Sequence, residues 1–320
     1  MAWKRNHDTG RRAMTIDFLI SALVTIIGIS TPILLAATGE LVVEKSGVLN
    51  LGVEGMMLVG AVTGFAVMNA TGNPWLGVLC AAAAASLAAL LFGFLVLSLG
   101  SNQVATGLAL AIFGIGLSSL IGQGYQGMIN PGFTSVFPYA WSHHPYAKLL
   151  FGHSPLVYVS FVMVFATGWF LNRTRAGLVL RAVGENDLSA HSIGYSVIGV
   201  RYAAIAFGGA LAGVAGAYFS MVISPLWAEQ MTAGRGWIAL ALVVFAGWRA
   251  SRLIFGAYLF GILMTLELYA KASGFHVMPS QFWAAMPYLM AVIVLAIISA
   301  RERGGSDAPA CLGKPFLPAS

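Results

Sequence analysis

This sequence is short of charge, of cysteine and of the motif by which many enzymes hold a nucleotide. Only 9% of its 320 residues are charged, whereas roughly a quarter would be in a soluble globular chain. Hydrophobic residues make up 58% and the mean hydropathy is +0.83. So little charge excludes an ordinary water-soluble domain and leaves a polytopic membrane protein. Cys80 lies in an alanine-rich apolar run and Cys311 in a polar tail, which offers neither a disulfide framework nor a thiolate metal site. None of the 38 glycines stands in a G-x-x-x-x-G-K-[ST] phosphate loop, so the chain does not carry an ATPase of that type. The six histidines (His7, His143, His144, His153, His191 and His276) fall in tails or loops, leaving serines in the apolar runs without a general base and arguing against an intramembrane protease. His143, His144 and His153 share one loop, but no cysteine or aspartate there joins them, and no metal site is assigned.

What is present is a series of apolar runs near the 20 or so residues needed to cross a hydrocarbon core about 30 Å thick. They cover residues 18–38, 51–69, 75–99, 104–121, 156–171, 200–223, 237–248, 253–270 and 282–300. Backbone in lipid must satisfy its own hydrogen bonds, so these are expected to be helices. The expected fold is an all-α polytopic membrane protein with about 9–10 transmembrane helices. The basic N-terminus is not closed by a small-residue cleavage site, so no removable signal peptide is expected.

The formal +6, from 17 basic against 11 acidic residues, collects in short polar segments, which points to selection of a membrane face and not to nucleic-acid binding. Arg173, Arg175, Arg181, Arg201, Arg249, Arg252, Arg301 and Arg303 place their loops in the cytoplasm. Counting back from Asn172 through five runs puts the N-terminus outside, yet Lys4, Arg5, Arg11 and Arg12 favour the inside. Either nine spans start from an external N-terminus, or the region around Glu40 to Asn50 is a further crossing made partly of unwound backbone.

The stretch "GELVVEKSGVLNLGVEGMMLVGA", residues 39–61, sets Glu40, Glu44, Lys45, Asn50 and Glu54 among apolar neighbours. A charge at mid-bilayer costs roughly 2.5–3.5 kcal/mol, so such a cluster is not expected to face lipid. The pattern returns at residues 215–248: an apolar helix, a polar interruption, a charge flanked by glycines (Gly52, Glu54, Gly55 against Gly234, Arg235, Gly236), then a second apolar helix. Two related halves with interrupted helices are a common transporter plan, with the path between them. One reading makes 39–50 a solvated interfacial loop with Glu54 in a first helical turn, where the dipole favours an acid. The other makes it a broken helix, its freed backbone groups satisfied by Ser46, Asn50 and the glutamates.

Four segments, "GELVVEKSGVLNLGVEGMMLVGA", "NQVATGLAL", "TRAGLVLRAVGEN" and "GRGWIALALVVFAGW", resemble the permease subunits of bacterial ABC importers, in the superfamily of ribose and branched-chain amino acid permeases. The form "EKSGVLNLGVEGMM" is similar to the nucleoside and simple-sugar branch. The resemblance covers residues 30–300. It implies a permease without catalytic residues or cofactor, ATP being used by a separate ATP-binding cassette subunit. It also implies a second permease subunit, the same or related, a periplasmic substrate-binding protein, and a bacterial inner membrane. The expected organisation is a polar tail (1–14), a first repeat (15–171) with an external loop (122–155), a cytoplasmic coupling loop (172–199), a second repeat (200–300) and a cytoplasmic tail (301–320).

In the coupling loop, Arg175, Gly177, Arg181, Ala182, Gly184, Glu185, Asn186 and Gly194 match the region that docks on the ATPase in such permeases. Its apolar residues suit short amphipathic helices broken at Gly184 and Gly194; on composition alone the loop is equally a solvated, positive-inside segment. Candidate substrate-path residues are Glu40, Asn50, Glu54, Asn102, Gln103, Thr106, Glu229, Gln230 and Arg235. Asn102 and Gln103 suit a helix cap or an interhelical hydrogen bond equally well. Glu267 beside Lys271 reads as an interfacial ion pair. Phe65, Phe113 and Phe245 are candidates for stacking a nucleobase, with core packing the ordinary role. The alternative function is an ion-coupled secondary transporter that uses the buried carboxylates as proton sites.

Overall fold

The computed structural model describes residues 2–133, 145–272, 280–301 and 308–316. In chain order the helices are α1 (Ala2–Lys45), α2 (Val53–Thr71), α3 (Pro74–Gly93), α4 (Gln103–Gly122), α5 (Pro145–Phe151), α6 (Pro155–Arg173), α7 (Arg175–Glu185), α8 (Asp187–Ser192), α9 (Val197–Tyr218), α10 (Arg235–Phe245), α11 (Ala250–Ala272) and α12 (Ser280–Arg301). Single π-helical turns extend α3 through Ser98 and α9 through Ile223. Among the described residues β-structure is limited to two isolated bridges, Gln126 with Trp227 and Ile129 with Leu226.

Seven helices are long and apolar enough to cross a bilayer: Asp17–Lys45, Val53–Thr71, Pro74–Ser98, Gln103–Tyr125, Pro155–Arg173, Val197–Ile223 and Ala250–Ala272. The remaining two expected runs fall on α10 and α12, of which α10 is too short to cross and α12, at 22 residues, is not. The run 237–248 falls on α10, whose 11 residues rise about 16 Å, half a hydrocarbon core. The run 282–300 falls on α12, with Gln281–Ile293 its apolar stretch.

One further expectation needs correcting. The polar interruption does not begin at Gly39, because α1 runs on to Lys45 and the non-helical stretch is residues 46–52. Gly39 serves close packing instead: a methyl there would lie 2.9 Å from the Gly208 carbonyl oxygen. The expected polar tail, 1–14, precedes the membrane-crossing stretch Asp17–Lys45 and continues its helix from Ala2. Lys45 lies against Gly184, so α1 ends on the arginine-rich face. Phe18 lies against Tyr269, ring centroids 5.4 Å apart, near the far end of α11; the earlier part of α1 therefore belongs to the opposite face.

The centre of the protein is α9, packed on α1, α2 and α3. Its small residues permit this because lipid tails are as apolar as leucine, and helices in a membrane gain mainly from close contact. Gly208 approaches Val43 on α1, Gly209 approaches Ala89 on α3, and Gly213 meets Gly60 on α2. A methyl at Gly216 would sit 1.8 Å from the Met57 carbonyl oxygen, a backbone atom that cannot rotate away. Gly216→Ala is therefore expected to destabilise by about 1–3 kcal/mol, the usual range for overpacking. The measurement is the thermal unfolding midpoint in detergent, with Gly116→Ala, where a methyl meets nothing within 4 Å, as the neutral comparison.

Candidate functional site

The first interruption has its exposed backbone groups answered by side chains. Gly47, at φ +91°, turns the chain out of α1. The Ser46 hydroxyl donates to the Val43 carbonyl at 2.6 Å. The Leu49 amide donates to Gln103 Oε1 at 2.8 Å, the Asn50 amide to Glu40 Oε1 at 3.4 Å, and the Gly52 amide to Asn50 Oδ1 at 2.9 Å. Glu40, Glu44, Ser46 and Asn50 are all buried, and Glu44 accepts from Trp248 Nε1 at 2.5 Å. Unpaired backbone groups at this depth would cost several kcal/mol each, so these polar residues make a break in the helix tolerable.

The other path candidates are dispersed. Asn102 caps α4, its Oδ1 accepting from the Ala105 amide at 3.0 Å. Gln103 joins the break at Leu49 to the Lys314 carbonyl, 3.3 Å from its Nε2. Thr106 borders a small cavity of about 140 Å³ with Phe92, Leu95 and Phe113. Glu229 and Gln230 are exposed in the second interruption, where Gln230 adopts φ +52°. Phe65 is buried edge-on to Tyr125, Phe245 stacks on Phe260, and Phe113 is half exposed. Glu267 pairs with Lys271 at 2.7 Å. His143 and His144 lie outside the described residues; His153 is buried with its Nε2 3.1 Å from the Leu149 carbonyl, and burial lowers its pKa.

In the coupling loop, Thr174 caps α7 through the Gly177 amide at 3.0 Å, and Asn186 caps α8 through the Ser189 amide at 2.9 Å. The break between the two helices is therefore at Asn186 and not at Gly184, which stays helical. Gly184 serves close approach: a methyl there would lie 2.2 Å from the Lys45 carbonyl oxygen. Gly194, at φ +96°, ends α8. Arg175, Glu185 and Asn186 are exposed, Arg181 and Ala182 partly so. Leu178, Leu188, Ile193 and Tyr195 are exposed too and form the amphipathic outer side of this element.

Four features here were not anticipated. Arg201 is fully buried; its Nε donates to the Ser46 carbonyl at 3.2 Å and its Nη2 pairs with Asp187 at 3.1 Å. Its place at the very start of an apolar run gave no signal that set it apart from a loop arginine. Trp248 and Thr232 hold Glu44 and Glu54, each across more than 170 residues, which no local pattern reveals. Residues 308–316 form a strap on the same face. The Cys311 amide donates to the Gly184 carbonyl at 2.9 Å, the Gly313 amide to the Gly47 carbonyl at 3.2 Å, and Phe316 lies edge-on to His191.

The two glycine-flanked charges meet, but not as an ion pair. Glu54, in the first turn of α2, projects onto the start of α10. Its Oε1 accepts from the Thr232 hydroxyl at 2.5 Å and the Gly234 amide at 2.8 Å, and its Oε2 from the Gly236 amide at 2.6 Å. The carboxylate thus does for α10 what a local cap does elsewhere, at the end where the helix dipole favours negative charge. Arg235 turns away, its Nη1 donating to the Thr232 carbonyl at 3.2 Å and its guanidinium 5.0 Å from the Phe219 ring centre. Each buried donor left without an acceptor costs about 1–3 kcal/mol. Glu54→Ala is expected to destabilise by about 3 kcal/mol or more, and Glu54→Gln, which keeps one acceptor oxygen, by clearly less. Thermal midpoints of the two variants in detergent check the order.

The family model of the branched-chain amino acid transport system / permease component matches residues 22–297. A putative glucose ABC transporter permease from Haloferax volcanii is 39% identical over 302 residues, 88% of this chain and 92% of that protein. A nucleoside ABC transporter permease from Lactococcus lactis is 30% identical over 84% of this chain and 89% of its own length. A guanosine ABC transporter permease from Bacillus subtilis is 27% identical over 90% and 93%. No solved structure matches. A match over most of the chain, with a relative at this identity, makes the protein a member of the branched-chain amino acid transport system / permease component family of ABC transporter permeases.

Proposed function

We propose that this permease forms one half of the translocation path for a nucleoside or simple sugar in an ATP-driven importer. A periplasmic binding protein delivers the solute to the face that carries residues 123–133 and 224–228. An ATP-binding cassette subunit docks on α7 and α8 at the arginine-rich, cytoplasmic face of a bacterial inner membrane. A second permease subunit, the same or related, completes the path. The named substrates of the relatives, glucose, nucleoside and guanosine, support the solute class.

The single observation that carries the coupling role is the exposed apolar ridge Leu178, Leu188, Ile193 and Tyr195 on an element whose other side touches the helix break. A short amphipathic helix of this kind fits a groove on a soluble partner. Displacement of α7 would pass by backbone contact from Gly184 to Lys45 and Gly47, through residues 46–52 to α2, and from Glu54 to α10. The ion-coupled alternative has less support, because Glu40, Glu44 and Glu54 each accept a hydrogen bond within the protein.

Leu188→Asp with Ile193→Asp is expected to weaken ATPase attachment tenfold or more, about 1.4 kcal/mol, while the isolated permease keeps its thermal midpoint. Co-purification with the ATPase and ATP-dependent uptake in proteoliposomes are the measurements. Normal stimulated uptake by the double variant would overturn the docking assignment, and uptake driven by a proton gradient without any ATPase would overturn the importer.

A further inference from the structure

The largest cavity described, about 730 Å³, has been given no ligand so far, although Arg181 in its wall belongs to the coupling element. It sits at the arginine-rich end between the last turns of α6, α7 and the turn that joins α10 to α11. Lys45, Arg181 and Arg249 line it together with Asn172 and Ser251, and no aspartate or glutamate does. Arg181 Nε is buried and has no hydrogen-bond partner among the described residues. Three cations around one cavity, one with a donor unanswered, form a site for an anion with several acceptor oxygens.

The walls add a second requirement. Phe165 and Trp169 on α6 and Phe255 on α11 also line the cavity, yet are 67%, 64% and 78% exposed. Both helices are membrane-crossing by length and composition, so the cavity opens on the apolar outer side of two spans, where an acyl chain would reach it. Trp169 also borders a neighbouring apolar groove of about 390 Å³, formed with Val42, Met163, Phe170, Leu180 and Phe207. A basic pocket at a membrane boundary, continued by an apolar trough, matches a molecule with a phosphate at one end and hydrocarbon at the other.

We propose that this cavity binds the phosphate headgroup of an anionic glycerophospholipid, with Arg181, Arg249 and Lys45 around the phosphate and a chain along Trp169. The site is independent of the transported solute. It would tie a bilayer lipid to the last turns of α7, where Gly184 contacts the helix break.

The test is native mass spectrometry of the full chain in detergent, titrated with dioleoylphosphatidylglycerol, dioleoylphosphatidylcholine and inorganic phosphate. Phosphatidylglycerol should be retained at concentrations at least tenfold lower than phosphatidylcholine, and inorganic phosphate should not displace it. Arg181→Gln with Arg249→Gln should weaken retention tenfold or more, and Lys148→Gln should not. A photoactivatable phosphatidylglycerol on the unmutated chain should crosslink to peptides of α6 and α11, which reads the site even if the double variant fails to fold. Equal retention of the two lipids, displacement by inorganic phosphate, or crosslinks elsewhere overturns the proposal. So does a folded double variant that keeps phosphatidylglycerol but loses its ATPase, since the cavity would then be a protein-docking groove.

Discussion

A carboxylate shared by two halves of the chain holds this structure together. At the start of α10 Thr232 and Gly236 are buried and Gly234 is partly so, which leaves their donors short of solvent to bond. Glu54 supplies the acceptors for Gly234 and Gly236 and takes the Thr232 hydroxyl as well. A helix that starts part-way across a membrane is stable only if something polar from elsewhere meets its end. Here that group rises from the other interrupted element, so each break exists partly because the other does.

The same economy of polar groups organises the arginine-rich face. Backbone freed at residues 46–52 is taken up by Glu40, Asn50, Gln103 and Arg201, and the strap at 308–316 closes on the same region and on Gly184. Four separate parts of the sequence therefore converge within a few ångströms of Gly47. Close packing without side chains, as at Gly184 and Lys45, makes the contact stiff: backbone set against backbone has no rotamers in which to absorb a displacement.

The membrane class, the helical fold and the importer family were legible because each rests on dense local signals: long apolar runs, scarce charge and several characteristic segments. The repeated pattern singled out Gly52–Glu54–Gly55 and Gly234–Arg235–Gly236 as counterparts, but did not say that the two would meet. Other features were misplaced for physical reasons. Gly39 resembles a helix breaker, yet glycine also allows close helix contact, and α9 makes that use of it. Arg201 resembles any loop arginine until Asp187 and the Ser46 carbonyl are seen around it. The strap's partners are 126 and 211 positions away, beyond the reach of periodicity or composition.

The separation of Glu54 from its donors has a consequence for how the chain enters a membrane. The acid leaves the ribosome about 180 residues ahead of the amides that neutralise its need for partners. During translation α2 must therefore wait with its carboxylate sheltered by the first half of the protein or by water. The segment leading into α10 cannot settle as an autonomous insertion unit; it is threaded in late, when a pre-existing acceptor is there to receive it. The order of synthesis thus makes the acceptor available before its donors exist.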